Sequence, residues 1–201
     1  MKRAEALRPW RRRFSRAIFE SALIVFSVLL ALVLNEWRDS RKHAERTELA
    51  VEAIVAELRG NREAAERAMK RHRSVTTTLT NLSNRSQLPT NEFVQSGIFN
   101  PANLVETAWT SAREAGAVDE WPYDLVLEVS GLYERQAAYN NLARQLNADL
   151  YMDLRRRGFD AVLRQEFAGI ILLTRDFANR EAGFLHEYDE TLAALEKHTG
   201  R

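Results

Sequence analysis

The side chains that could carry out acid–base or metal chemistry are few in this 201-residue chain. The histidines are His43, His72, His186 and His198. An imidazole binds a metal or transfers a proton only with a second ligand or a carboxylate within reach, and on a helix this requires a spacing such as H-x-x-x-H or E-x-x-H. None of these histidines stands in either pattern. Glu187, next to His186, faces away from it on a helix. The sequence therefore predicts no metal site.

Other catalytic signatures are also missing. The chain has no cysteine, which excludes disulfides, thiolate metal sites and cysteine nucleophiles. It has no G-x-S-x-G, no P-loop and no G-x-G-x-x-G. Aromatic residues on helices could line a pocket, but they more often belong to a core. These aromatic residues are Trp109, Trp121, Tyr123, Tyr133, Tyr139 and Tyr151. We therefore expect no enzymatic activity and no cofactor.

The stretch from Ala17 to Trp37 is the longest apolar run, with 21 residues. It includes the uncharged segment 21–34, and a helix of about 20 residues spans a bilayer. A signal peptide would need a small-x-small cleavage site after the apolar run, and "ALVLNEWRDS" offers none that is convincing. The sequence thus favours an uncleaved transmembrane helix at 17–37 over a signal peptide or a buried soluble helix.

Basic residues precede this run. Residues 1–16 carry seven Lys or Arg and one Glu, a net charge of 7 − 1 = +6. With no nucleic-acid-binding fold around it, this tail suits anionic lipid better than nucleic acid, and by the positive-inside rule it stays in the cytoplasm. Trp10 and Trp37 lie 27 positions apart, about 40 Å on a helix, and are predicted interface anchors. The predicted lipid head-group contacts are Arg8, Arg11, Arg12, Arg13 and Arg16.

A stripe of small and polar residues follows one face of this helix. At about 100° per residue, the stripe falls within an arc of about 80°. It comprises Glu20, Ile24, Ser27, Ala31 and Asn35. Helices in lipid associate through such faces, which predicts a contact with other membrane subunits or a second copy. The alternative is that Glu20 reaches water or Arg16, and that Ser27 bonds its own i−4 carbonyl.

Helical patterns dominate the rest of the chain. The helix of the span should continue past Trp37 for a total of about 65 residues, with apolar residues recurring from Leu49 to Met69. The Thr-, Ser- and Asn-rich stretch 76–103 is predicted to be irregular, and a short helix follows at 103–115.

Two more long helices are predicted. One has its cap near Asp119 or Glu120 and Pro122 in its first turn, and it ends at Gly158; the other covers 159–197. The cluster 155–157, Arg-Arg-Arg, suits a helix C-terminus, with docking of an acidic partner or a lipid phosphate as the alternative. The predicted fold is all-α, with one N-terminal transmembrane helix continuing into an antiparallel helical bundle. The predicted domains are the basic tail 1–16, the transmembrane helix 17–37 and the extracytoplasmic bundle 38–201.

The segment "ESALIVFSVLLALVLNEWRDSRKHAE" is a single span that ends in Asn-Glu-Trp and runs directly into a charged helix. It resembles a family of small single-span bacterial membrane proteins, classed as a domain of unknown function, with a helical extracytoplasmic domain. The likeness is carried by Glu20, Leu30, Ala31, Leu32, Asn35 and Trp37, and more loosely by "LVETAWTSAREAGAV". It covers about a quarter of the chain, and it implies a topology and no activity.

Two functions follow as expectations. The first is a non-catalytic accessory or scaffold subunit of a larger inner-membrane complex, with respiratory and photosynthetic complexes as candidate hosts. Its partners would be the lipid bilayer and other integral membrane subunits, or a second copy. The alternative is a periplasmic ligand-sensing bundle that signals through a partner, because residues 1–16 are too short for an output domain. Both place the chain in a bacterial inner membrane, with its N-terminus cytoplasmic and its bundle periplasmic.

Overall fold

The computed structural model describes residues 8–90, 92–93 and 97–199, without the side chains of residues 8–19, 21, 22 and 199. The helices are α1 (Arg8–Asn84), α2 (Thr107–Glu114), α3 (Tyr123–Arg157) and α4 (Phe159–Thr199), and the described ranges contain no strand. The all-α class and the helical bundle are therefore as predicted. The chain divides into two compact units, Met1–Glu48 and Leu49–Arg201.

The end of α1 corrects the prediction of an irregular segment from position 76 onward, because α1 continues to Asn84. Val75 and Leu79 in this last part are buried, and the hydroxyl of Thr76 donates to that of Thr174 at 2.9 Å. Threonine has a low helix propensity, but burial of one helix face stabilises a helix more than propensity does. The composition of the stretch therefore misled the sequence-based prediction.

The core of the second unit is built from the predicted apolar stripes of α1, α3 and α4. Its larger cluster of buried residues includes several that are 0 % exposed: Ile54, Leu58, Val129, Leu132, Phe177, Tyr188 and Leu195. A smaller cluster joins the end of α1 to the start of α4 through Leu79, Leu163 and Ile170. Leu49, which the pattern placed in the stripe, is exposed.

The turn between α3 and α4 is a single residue, Gly158. Its φ of 77° lies in the left-handed region that glycine adopts without strain, as expected for the residue after a helix. Arg157 in the last turn pairs with Asp153 and Glu166, which favours the helix-terminus interpretation of the arginine cluster. The other two helix starts differ from prediction: α2 begins only at Thr107, and Pro122 is the residue before α3 rather than part of its first turn.

The segment that leads into α2 is held by two asparagines. The side chain of Asn61 in α1 donates to the carbonyl of Val105 at 2.7 Å and accepts from its N–H at 2.9 Å. The side chain of Asn140 in α3 makes the same two bonds with Leu104, at 2.6 and 3.3 Å. These side chains satisfy backbone groups that would otherwise lose water without gaining a partner.

Candidate functional site

The apolar part of α1 is the first candidate site. Every large apolar side chain between Leu23 and Leu34 is 47 to 64 % exposed, so no face of this part of the helix is covered within the described chain. No helix formed by the described residues contains an apolar stretch that is long enough to span a bilayer. The side chains of residues 17–19, 21 and 22 of the predicted 17–37 span lie outside the description. The transmembrane helix is therefore not confirmed and stays a prediction.

The predicted contact face lies on this one helix, α1, and its described side chains are exposed. The hydroxyl of Ser27 donates to the carbonyl of Leu23 at 2.8 Å, which is the alternative raised from the sequence. The side-chain amide of Asn35 donates to Asp39 at 3.1 Å. Glu20, Ile24 and Ala31 complete the stripe. The described side chains of the stripe are thus exposed, with its serine bonded to the helix backbone.

Of the predicted interface anchors, Trp37 is 58 % exposed, and the guanidinium of Arg41 lies 5.2 Å from its ring centroid. This cation–π contact leaves much of the indole open to solvent. Trp10 and the predicted head-group contacts lie within α1, but their side chains are outside the description: Arg8, Arg11, Arg12, Arg13 and Arg16.

A buried polar triad is the second candidate site, in the bundle unit. It joins one side chain from each long helix: His72 of α1, Tyr139 of α3 and Glu181 of α4. The imidazole Nδ1 lies 2.8 Å from one carboxylate oxygen of Glu181, and the phenol of Tyr139 donates to the other at 2.6 Å. His72 and Glu181 are 0 % exposed. The sequence did not indicate this contact, because its partners are 109 and 42 positions apart.

Hydrogen bonds from the segment before α2 fix the state of this triad. The N–H of Asn100 donates to the imidazole Nε2 of His72 at 3.4 Å, so Nε2 accepts and the proton is on Nδ1, which donates to Glu181. The N–H of Ala102 donates to the phenol oxygen of Tyr139 at 2.9 Å. Burial, and then the bond to Glu181, raises the pKa of Tyr139 above its ordinary value of 10.0. Every polar side-chain atom of the triad therefore has a hydrogen-bond partner.

The surroundings of the triad are aromatic rather than open. The imidazole of His72 stacks on the ring of Phe99 at 5.6 Å, and Phe177 lies edge-on to both rings. Within the described residues, no group of three His, Asp or Glu side chains is placed to hold a metal ion. The triad thus joins the three long helices, and its polar atoms lie among buried aromatic rings.

A second contact, which is partly buried, connects α1, α2 and α3. One carboxylate oxygen of Glu57 accepts from the N–H of Ala108 in the first turn of α2, at 2.8 Å, and the other accepts from the phenol of Tyr133, also at 2.8 Å. A carboxylate at a helix N-terminus satisfies a free donor and interacts favourably with the helix dipole. Sequence reasoning missed this contact, because Glu57 stands 51 positions before the helix that it stabilises.

The other two histidines of the bundle lie near its surface or beside an aromatic ring, and most of the aromatic candidates lie in the core. His186 pairs with Glu190 on the surface at 3.2 Å, a spacing that the sequence search did not consider, and the ring of His198 lies 6.0 Å from that of Trp121. Four of the six aromatic residues expected in a core are buried: Trp109, Trp121, Tyr133 and Tyr139. For Tyr123 and Tyr151 the prediction is wrong, since both are exposed.

No protein-family model matches the chain, and no curated protein and no solved structure is significantly similar to it. The predicted likeness to single-span bacterial membrane proteins stays a prediction.

Proposed function

We propose that this chain is a non-catalytic accessory or scaffold subunit of a bacterial inner-membrane complex. The N-terminal helix at 17–37 crosses the membrane once and binds other membrane subunits. The bundle, on the periplasmic side, braces or covers the same partner. The observation that carries the proposal is the apolar part of α1, whose side chains are exposed on every face.

The energetics of this apolar part favour a lipid environment. Burying a large apolar side chain gains about 1.5 to 3 kcal/mol, and the side chains from Leu23 to Leu34 are only about half buried. A helix that is apolar on all sides is characteristic of a membrane span or of the core of a large assembly. Tryptophan at one end and a tail of net charge +6 at the other favour the membrane.

The bundle supports a scaffold role. Its long helices are joined by buried and partly buried polar contacts that involve His72, Glu57 and Asn61. Partly buried polar contacts of this kind specify one packing arrangement of helices. A bundle tethered by a membrane helix is suited to holding a partner in position, and respiratory and photosynthetic complexes are candidate hosts.

Cysteine labelling is expected to place the bundle outside the cytoplasm. The chain has no cysteine, so Tyr123→Cys, at a side chain that is 74 % exposed, introduces a single reactive thiol. We expect a membrane-impermeant maleimide to label it in cells whose outer membrane alone is permeabilised. The matched variant Ala4→Cys, in the basic tail, should be labelled only after the inner membrane is disrupted. The reverse pattern would contradict the proposed orientation.

Copurification tests the contact face. In a mild-detergent pull-down of the chain at native expression, we expect a defined set of membrane proteins to be recovered. Ser27→Leu/Ala31→Leu adds bulk to the predicted face, and we expect it to reduce recovery of these partners about tenfold, since close approach of helices in lipid needs small side chains.

The control for this experiment is Val25→Leu/Val33→Leu, which adds bulk to the opposite side of the same helix and should leave recovery unchanged. If the wild-type chain is recovered alone, or if both double variants lose the partners equally, the proposed subunit role or its docking face is wrong.

A further inference from the structure

A groove lies on the surface between α3 and α4, with a volume of about 480 Å³. It extends from Arg135 to Leu142 on α3 and from Arg180 to Glu187 on α4. Each of these stretches covers seven residue steps, so the groove is about 10 Å long. The guanidinium Nε of Arg135 bonds to Glu187 at 2.8 Å and closes one end. The volume falls within the range of small-molecule sites.

The floor of the groove is apolar, and a glycine leaves it open. Ala138 and Leu142 of α3 and Phe184 of α4 line it, and the ring of Tyr139 lies edge-on to that of Phe184 with centroids 5.5 Å apart. A Cβ added to Gly183 would meet no described atom within 4 Å. Glycine in the interior of a helix is destabilising relative to alanine, and here its effect is to widen the groove.

The hydrogen-bond donors at the groove favour an anion. The charged residues that line it are Arg135, Arg180 and Glu187, and Asp176, which bonds to Arg180, brings the local charge to 2 − 2 = 0. Arg180 bonds to Asp176 through Nε at 2.7 Å, and Arg135 also uses its Nε. A guanidinium has five N–H donors, so each arginine retains its terminal NH₂ groups beyond these pairs. Such groups bind a carboxylate in two parallel hydrogen bonds.

We propose that this groove binds a medium-chain aliphatic monocarboxylate, whose carboxylate contacts Arg180 and whose chain lies over Gly183 and Phe184. The carboxylate bonds to the terminal NH₂ groups that these ion pairs leave available, and an unbranched chain fits the narrow apolar floor between the two charged ends. The proposal goes beyond the subunit function and does not depend on it. A site of this kind is what the ligand-sensing alternative requires.

The probe for this site is octanoate, titrated calorimetrically into the full chain in lipid nanodiscs, with the signal of empty nanodiscs subtracted. We expect one binding site. Gly183→Leu fills the groove and should abolish binding, and its helix should be no less stable because leucine has the higher helix propensity. Arg180→Gln should weaken binding at least about tenfold through loss of charged hydrogen bonds.

Matched variants separate a binding effect from a folding effect. Gly169→Leu changes another exposed glycine of α4 with open space around it, and Arg175→Gln removes another exposed arginine of the same helix; both should bind octanoate like the wild type. Octylamine, with the opposite charge, should not bind. The proposal is overturned if the wild type does not bind octanoate, if Gly183→Leu binds it unchanged, or if octylamine binds equally well.

Discussion

Glu181→Leu is expected to lower the free energy of unfolding by about 2 to 6 kcal/mol, because it leaves two buried hydrogen-bond donors unsatisfied. The substitution leaves two buried donors without an acceptor, the imidazole Nδ1–H of His72 and the phenol of Tyr139. Each unsatisfied donor costs about 1 to 3 kcal/mol. Guanidinium titration of the full chain in detergent, followed by far-ultraviolet circular dichroism, measures the change.

A double-mutant cycle tests the reason for this loss. His72→Leu/Glu181→Leu removes donor and acceptor together and fills the site with apolar side chains, so it should cost at least about 1 kcal/mol less than the sum of the single substitutions. Glu190→Leu, at an exposed carboxylate of the same helix, serves as the control and should change stability by less than about 0.5 kcal/mol. If Glu181→Leu behaves like this control, the triad does not stabilise the bundle.

The free energy of unfolding of the bundle is expected to fall unusually steeply as the pH rises above 10. Burial is the main cause that raises the pKa values of Tyr133, Tyr139 and Tyr188 above 10.0 in the folded chain. The unfolded chain therefore releases these phenol protons near pH 10 while the folded chain keeps them. Stability is fully present below pH 10 and falls above it by about 1.4 kcal/mol per pH unit for each tyrosine, or about 4 kcal/mol for the three.

Tyr188→Phe isolates the contribution of one tyrosine to this pH dependence of stability. The phenol oxygen of Tyr188 is buried and has no hydrogen-bond partner among the described atoms, so its removal should preserve or increase stability at pH 7. Above pH 10 the slope should fall by about one third. Urea titrations at several pH values measure both quantities, with the exposed Tyr123→Phe as the control. An unchanged slope in Tyr188→Phe would mean that its phenol ionises in the folded chain.

The parts of the fold that depend on local pattern were predictable. Apolar residues at helical spacing located α3 and α4, and Gly158 correctly marked the boundary between them. The end of α1 was not predictable from composition, because contacts with Leu79 and Thr76 from distant residues stabilise a threonine-rich stretch as helix. Local preferences decide a helix end only where tertiary packing does not.

The polar contacts between helices could not be predicted from the sequence for the same reason. How far His72 or Glu57 is buried depends on which residue of another helix lies opposite. The spacing of residues along one helix does not determine its register with another helix. Glu181 stands in the charged pattern of α4 like any surface glutamate. Its side chain differs from those of surface glutamates in being 0 % exposed, and this difference is visible only in the folded bundle.

The bonds from the two asparagines to the segment before α2 can be followed by hydrogen exchange of two backbone amides. The N–H of Leu104 bonds to Asn140 and that of Val105 to Asn61, so these amides are bonded to side chains of α3 and α1 rather than to a neighbouring turn of backbone. Neither amide can be shielded from deuterium until the helix that supplies its partner is in place. Their exchange therefore reports release of this segment from α1 and α3, whereas exchange of amides within a helix also reports fraying of its ends.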